Sequence, residues 1–258
     1  MGICFFDIDD TLIPLGCNDI RQEEKEVLNK LKENGHYIFI NSGRVHSFTQ
    51  KYILDFPFSG YALGCGTYIE INHEVKKEFI FDTYMHDLLI QKIKEYQIPV
   101  VFEGQKETAF FGNNPTINNL YNTSIKQGTS IGDIDNPKFE FSKFCIFVED
   151  PSQKPIDFIN EFKDTLDFIE RSNTFWEVVP KNYSKGHAVK EIADLLNISI
   201  ADCYCFGDST NDLSMLQAVK HSIVMGNAAN KVKEHAEFVT HTCNEDGIKY
   251  ACEHYHLI

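Results

Sequence analysis

The first dozen residues limit this chain more than any other stretch. Gly2-Ile3-Cys4-Phe5-Phe6 is a short apolar run suited to a buried strand, and it stops abruptly at Asp7-Ile8-Asp9-Asp10-Thr11-Leu12. Ending a buried strand in three carboxylates serves stability poorly. Like charges a few ångströms apart repel, so they need a shared proton or a cation. Oxygen-only ligands suit a hard divalent ion such as Mg²⁺. Side chains two apart on a strand share a face, which aims Asp7 and Asp9 at one place. A solvated acidic turn is the competing reading, and the rest of the chain has to separate the two.

The hydrophobic pattern beyond this point alternates strand with helix. Arg21 to Asn34 carries Val27, Leu28 and Leu31 on one side and closes at Asn34-Gly35, as an amphipathic helix does. His36 to Ile40 reads as the next strand, ending in Asn41-Ser42-Gly43-Arg44, and Val45 to Leu54 as a second helix. Tyr61 to Leu63 is a third strand, followed by Gly64-Cys65-Gly66 and an alternating pair around Tyr68 to Ile71 and Val75 to Ile80. This is the start of a doubly wound, Rossmann-like parallel sheet.

The rhythm changes over residues 83–181. There a helix from Tyr84 to Tyr96, a hairpin across Glu103-Gly104-Gln105-Lys106 and further strands near Phe144 and Phe175 predict an α+β unit. Gly112 to Pro137 reads as a loop with a short helix. The parallel rhythm then resumes. Ser184 caps a helix to Leu196, Cys203 to Phe206 is a strand ending at Gly207-Asp208, and Ser209 to Val219 is a helix. Ser222 to Met225 is a strand ending at Gly226-Asn227. The predicted fold is thus an α/β core, residues 1–82 and 182–258, with an inserted α+β domain at 83–181.

Bulk properties exclude several functions. A formal charge of −14 disfavours non-specific nucleic-acid binding and anionic membranes, both of which need a basic face. No apolar stretch approaches membrane-spanning length, and a strand beginning at residue 2 leaves no room for a secretory leader. The eight cysteines fall mostly inside apolar runs and lack zinc spacing, so free thiols in a reducing cytoplasm are expected.

In an open parallel sheet, ligands bind beyond the carboxyl ends of the strands where the strand order reverses. Asp7/Asp9, Ser42-Gly43 and Gly207-Asp208 each follow a strand, and Lys185 opens a helix, so all should converge on one crevice. Carboxylates, a hydroxyl, helix N-termini and a lysine together suit a phosphate and a metal. Asp208 and Asp212 would share a helix face at its N-terminus, where simple capping explains one carboxylate but not both.

Read in order, these motifs resemble the haloacid dehalogenase superfamily of phosphohydrolases, in its Cof-type branch. The resemblance lies in Asp7-Ile8-Asp9-Asp10-Thr11-Leu12, Asn41-Ser42-Gly43-Arg44, Ser184-Lys185-Gly186 and Gly207-Asp208-Ser209-Thr210-Asn211-Asp212. Val224-Met225-Gly226-Asn227-Ala228 and Asn244-Glu245-Asp246-Gly247 add to it. It implies a Mg²⁺-dependent phosphatase of small phosphorylated metabolites, sugar phosphates foremost, acting as a monomer or homodimer. It implies Asp7 as nucleophile forming an aspartyl-phosphate and Asp9 as proton donor and acceptor. Asp7, the Asp9 backbone carbonyl and Asp208 would hold the metal, with Asp212 holding the site directly or through a water, while Ser42, Gly43 and Lys185 hold the phosphoryl group. Arg44 would clamp the substrate or form a salt bridge; Asn211 and Asn227 would support the site or cap loops. The insert would be the cap that selects the leaving group. Cys65-Gly66-Thr67 stands where the branch usually has Asn-Gly-Ala, which puts any substrate contact by that asparagine in doubt. Two rivals stay open: a phosphomutase or phosphotransferase on the same scaffold, and a catalytically silent phospho-switch.

Overall fold

A computed structural model of the protein describes residues 1–258. The chain opens with strand β1 (Ile3–Phe6), helix α1 (Gln22–Glu33), β2 (Tyr37–Asn41), the single turn α2 (Lys51–Leu54), β3 (Gly60–Leu63), β4 (Tyr68–Ile71) and β5 (Glu74–Glu78). It continues through α3 (Thr83–Glu95), β6 (Val100–Glu103), β7 (Thr108–Phe111), α4 (Pro115–Lys126), β8 (Lys143–Phe147), α5 (Ile156–Phe162), β9 (Leu166–Ser172) and β10 (Phe175–Pro180). It closes with α6 (Lys185–Leu195), β11 (Cys203–Gly207), α7 (Leu213–Leu216), β12 (His221–Val224), α8 (Asn230–Lys233), β13 (Phe238–Val239) and α9 (Gly247–His254). These elements form two compact units. Met1–Gly43, Gln50–Lys77 and Ser184–Ile258 make the core, while Arg44–Thr49 and Glu78–Tyr183 make the insert.

The core sheet has the order β13-β12-β11-β1-β2-β3-β4-β5. Its strands from β13 to β3 run parallel, and β4 turns back antiparallel on β3. The alternation along each strand explains why both faces are covered. Cys4 and Phe6 join Ile38, Ile40 and Phe206 in one apolar cluster, whose helices α1 and α9 supply Leu28, Leu31 and Ile248. Ile3 and Phe5 join Phe39, Cys203 and Cys205 in the other, together with Ala188, Val189 and Ile192 of α6. Each such side chain taken fully out of water contributes about 1.5–3 kcal/mol. The same alternation carries on past the strand end. Asp7 follows Ile3 and Phe5 by steps of two, so it falls on the face that α6 covers, where Lys185 begins the helix.

The insert is an antiparallel sheet of order β7-β6-β8-β10-β9. One face presents Phe102, Phe144, Ile146, Trp176 and Val178 to Leu89 and Ile93 of α3 and Phe158 of α5. Trp176 is therefore a core residue, and Phe175 stacks on Phe147 with centroids 4.5 Å apart.

Three predicted elements differ from those observed. The stretch 112–137 holds a full helix, α4, capped by Asn114 with Pro115 at its first position; its polar exposed face hid the periodicity. The predicted helix Val45–Leu54 is broken into a 3₁₀ turn at His46–Phe48 and the short α2, with Thr49 and Gln50 extended between them. The predicted helix Ser209–Val219 is a 3₁₀ turn at Thr210–Asp212 leading into α7. All eight cysteines are free, seven of them buried and Cys17 exposed. No helix is long and apolar enough to cross a membrane.

Candidate active site

Strand order reverses at β1. From β1 the chain winds outward through β2 and β3, and after the insert it returns through β11 on the opposite side. The register sets Phe6 level with Ile40 on one side and Phe206 on the other. The residues that follow, Asp7, Asn41-Ser42 and Gly207-Asp208, thus leave the sheet together. The Asp7 N–H donates to the Phe206 carbonyl at 3.0 Å, which extends the ladder to the edge of the site.

Lys185 is the centre of the charge arrangement. Its side chain is buried, and Nζ donates at 2.6 Å to Asp7 Oδ1 and at 2.6 Å to Asp212 Oδ1. Burial alone would lower its pKa, but Asp212 and Asp7 outweigh that and hold the ammonium well above its ordinary range. Carboxylate oxygens of Asp7, Asp208 and Asp212 lie within 4.8 Å of one another. One ammonium cannot balance three acids, and the excess shows at Asp7 and Asp208. Burial and then repulsion from Asp212 lift Asp7 to about 8, with Lys185 pulling downward. Burial and Asp212 likewise lift Asp208 to about 7, against the hydrogen bond from Thr11. An all-oxygen donor set short of positive charge fits a hard divalent cation.

Asp212 reaches this cluster by a route other than the shared helix face predicted for it. Its Oδ2 turns back to accept the N–H groups of Asp208 at 3.0 Å and Ser209 at 2.9 Å. The space for that return comes from Gly207, where a Cβ would lie 2.7 Å from Asp212 Cβ. Asn211 is buried and its Oδ1 accepts from Ser209 Oγ at 2.7 Å, which firms the same turn.

Around this centre the other predicted residues are distributed as follows. Ser42 is buried; its N–H donates to the Ala62 carbonyl at 2.9 Å and its carbonyl accepts from Cys65 N–H at 3.0 Å, so the Ser42-Gly43 loop is pinned to the turn after β3. The Asp9 side chain is exposed and outside the tri-carboxylate cluster, while its backbone bridges to Ile13. Asp10 has a φ of 57° and its Oδ1 accepts from the Leu15 N–H at 2.8 Å, as a turn residue does. Asn227 braces that turn by donating to the Asp10 carbonyl at 2.8 Å and accepting from Cys243 N–H at 3.0 Å. Arg44 groups with the insert rather than with the core residues.

Sequence reasoning passed over several contributors. Thr11 donates from Oγ1 to Asp208 Oδ1 at 3.1 Å across the switch point. Asn41 is wholly buried and donates from Nδ2 to the Lys185 carbonyl at 3.0 Å, fixing where α6 starts; an amide ending an apolar strand was the available signal. Gly66 lets α6 approach, since a Cβ there would meet the Ser184 carbonyl at 3.0 Å. Cys65 sits at φ 57°, ψ 36°, the left-handed region that asparagine tolerates better than most residues. A backbone reason therefore exists for the asparagine usual at this position, independent of any substrate contact.

A buried acidic cluster at the switch point of a doubly wound sheet, neutralised in part by one lysine, suits the binding of a cation and an anionic group such as a phosphoryl. Comparison with known proteins agrees. The model for haloacid dehalogenase-like hydrolases matches residues 4–251. The Bacillus subtilis (strain 168) protein named "Putative phosphatase YkrA" is 28% identical over 264 residues, covering 99% of this chain and 98% of that one. Among solved structures, the HAD subclass IIB sugar phosphatase BT4131 gives a TM-score of 0.86 at 22% identity over 100% of both chains. BT1666 from Bacteroides thetaiotaomicron gives 0.85 at 23% identity, covering 100% of this chain and 96% of that one. At such identities the structural likeness speaks to the fold. The chain belongs to the haloacid dehalogenase-like hydrolase family. Within it, the protein is a phosphatase that acts on phosphoric monoesters.

Proposed function

We propose that the protein is a Mg²⁺-dependent phosphatase of small phosphorylated metabolites, sugar phosphates foremost, working through an aspartyl-phosphate on Asp7. The observation that carries this reading is the buried Lys185 bound at 2.6 Å to both Asp7 and Asp212, with Asp208 completing the cluster. It holds a carboxylate in fixed orientation where a phosphoryl group would meet positive charge. Asp7, Asp208 and Asp212 would hold Mg²⁺, which when bound supplies charge neutralisation for the phosphoryl oxygens and keeps Asp7 ionised.

In the first step an Asp7 oxygen forms a bond to phosphorus as the ester P–O bond breaks, and Asp9 gives its proton to the departing alkoxide. In the second, Asp9 takes a proton from water, the hydroxide oxygen bonds to phosphorus, and the Asp7 carboxylate leaves. Lys185 and Ser42 hold the non-bridging oxygens throughout, the lysine as a point charge. The exposed Asp9 side chain, outside the tri-carboxylate cluster, suits a group that must exchange protons with substrate and water. The insert would select among leaving groups.

The test is a screen of phosphorylated metabolites with Mg²⁺, scored by phosphate release over an Asp7→Asn control. Asp9→Asn should accumulate a phosphoryl group that hydroxylamine releases. Isomerised hexose phosphate without free phosphate would overturn hydrolysis as the main reaction, and turnover by Asp7→Asn would overturn the nucleophile.

A further inference from the structure

In the segment Arg44–Thr49, chain order and spatial grouping disagree. Its chain neighbours Gly43 and Gln50 group with the core, yet its own contacts place it with the insert. It is also the stretch where a predicted helix gives way to one 3₁₀ turn and an extended exit. Hydrogen bonds to the β6–β7 hairpin account for the departure. The His46 N–H donates to Gln105 Oε1 at 3.0 Å. Ser47 Oγ donates to the Gly104 carbonyl at 2.7 Å, which leaves the Thr108 hydroxyl, 3.0 Å away, to donate to Ser47.

Both sides of this contact are stiff. Thr108 is wholly buried, and a Cβ on Gly104 would fall 2.1 Å from the Glu140 carbonyl, so the hairpin is closely packed on its own unit there. Gln105 is itself held, since its Nε2 donates to Ser142 Oγ at 3.3 Å. Within the segment, Phe48 N–H and Thr49 Oγ1 both donate to the Val45 carbonyl at 3.0 Å, closing it into a turn. The Ser42-Gly43 loop is therefore constrained from two directions. Backbone bonds to Ala62 and Cys65 hold one side, and a strap stitched to the hairpin follows directly after Gly43.

We propose that Ser47 and Gln105 are positioning residues for phosphoryl binding: through the strap they set the conformation of Ser42-Gly43, so affinity for the phosphoryl group depends on the β6–β7 hairpin. This rests on the reading that Ser42-Gly43 holds the phosphoryl oxygens. Neither residue acts on the reacting atoms, so the expected signature is weaker binding with little change in turnover.

The experiment uses the full chain with Mg²⁺, p-nitrophenyl phosphate as substrate and inorganic phosphate as competitive inhibitor. Ser47→Ala and Gln105→Ala should each raise KM and the phosphate inhibition constant about three- to tenfold, the worth of about one hydrogen bond, with kcat changed less than about twofold. Ser47→Thr keeps the hydroxyl and Gln105→Glu keeps the acceptor for His46 N–H, so both should restore affinity. The double alanine variant should lose less than the product of the singles, because either cut frees the strap. Ser42→Ala is the control for the underlying reading. If it weakens phosphate inhibition while the two alanine variants do not, the strap has no positioning role. If Ser42→Ala itself has no effect, the phosphoryl-binding loop is misassigned and the proposal falls with it. A lowered Tm with unchanged inhibition would reduce the strap to a structural brace and overturn the proposal.

Discussion

Lys185→Met isolates the charge balance of the site without relying on turnover. Methionine keeps most of the aliphatic stem and removes the ammonium, leaving Asp7 and Asp212 without the cation that each now meets at 2.6 Å. Removing one partner of a buried ion pair costs about 3–5 kcal/mol, because the remaining charge is stranded in a poor solvent. Here Asp7 can escape by keeping its proton, and that fixes the pH dependence. Asp7 already sits at about 8 in the fold against 3.8 as its ordinary value, and Lys185 is what pulls it downward. Deleting the lysine moves it further up. A group whose folded pKa is raised binds more protons folded than unfolded, so its effect is to lower stability as pH climbs above the unfolded pKa, with a slope of up to about 1.4 kcal/mol per pH unit per proton.

In the parent Asp7 gives up its proton near pH 8 and in the variant only at higher pH, so the variant's deficit should be flat below about pH 7 and roughly 1 kcal/mol larger at pH 9 than at pH 6. Urea unfolding of metal-free protein, followed by fluorescence or circular dichroism at both pH values, reads it directly. Adding Mg²⁺ should narrow the gap at pH 9, because the uncompensated acids of the variant should bind it more tightly and so gain more by mass action. A deficit that is the same at both pH values would refute the argument, because it would mean the lysine stem packs rather than that the ammonium neutralises. A deficit below about 1 kcal/mol at pH 9 would refute it as well.

Three further outcomes follow from particular contacts. Gly207→Ala places a Cβ 2.7 Å from Asp212 Cβ and Cγ, so it should dislodge the carboxylate that accepts from Asp208 and Ser209 and weaken Mg²⁺ binding at least tenfold, about 1.4 kcal/mol; calorimetric titration with Mg²⁺ checks it. Thr11→Val removes the 3.1 Å hydrogen bond to Asp208 while keeping the shape, so the same titration should show roughly a three- to tenfold loss and the Tm only a small one. Glu24 is buried, its Oε2 has no hydrogen-bond partner, and burial raises its pKa despite Arg21, so it lowers stability as pH rises above 4.5. Glu24→Gln should flatten that decline, read as urea midpoints that change less with pH than those of the parent.

How far the site could be read in advance depended on whether a residue's place follows from strand ends or from reach-back contacts. The alternation Ile3, Phe5, Asp7 fixes a face, and an apolar run fixes where a parallel strand stops, so Asp7, Ser42, Asp208 and Lys185 could be brought to one edge from periodicity alone. Contacts that turn against the helical period could not. Asp212 looked like the second carboxylate of a helix face, but with Gly207 beside it the chain forms a 3₁₀ turn and the carboxylate caps it instead. Nothing in the sequence marks Thr11, because its partner Asp208 is close only through β1–β11 pairing.

The strap failed as a helix for a related reason. Residues 45–54 have adequate local propensity, but Ser47 and the His46 N–H find partners in a hairpin nearly sixty residues away. The His46 N–H lies in what would be the first turn, where a helix leaves N–H groups without partners, so its bond to Gln105 favours a single turn here over a continuous helix. The failed helix prediction is therefore informative. Its backbone still closes locally, Phe48 N–H onto the Val45 carbonyl and Thr49 N–H onto the His46 carbonyl, and the segment bonded to the hairpin begins directly after Gly43, where the proposed phosphoryl contact is made.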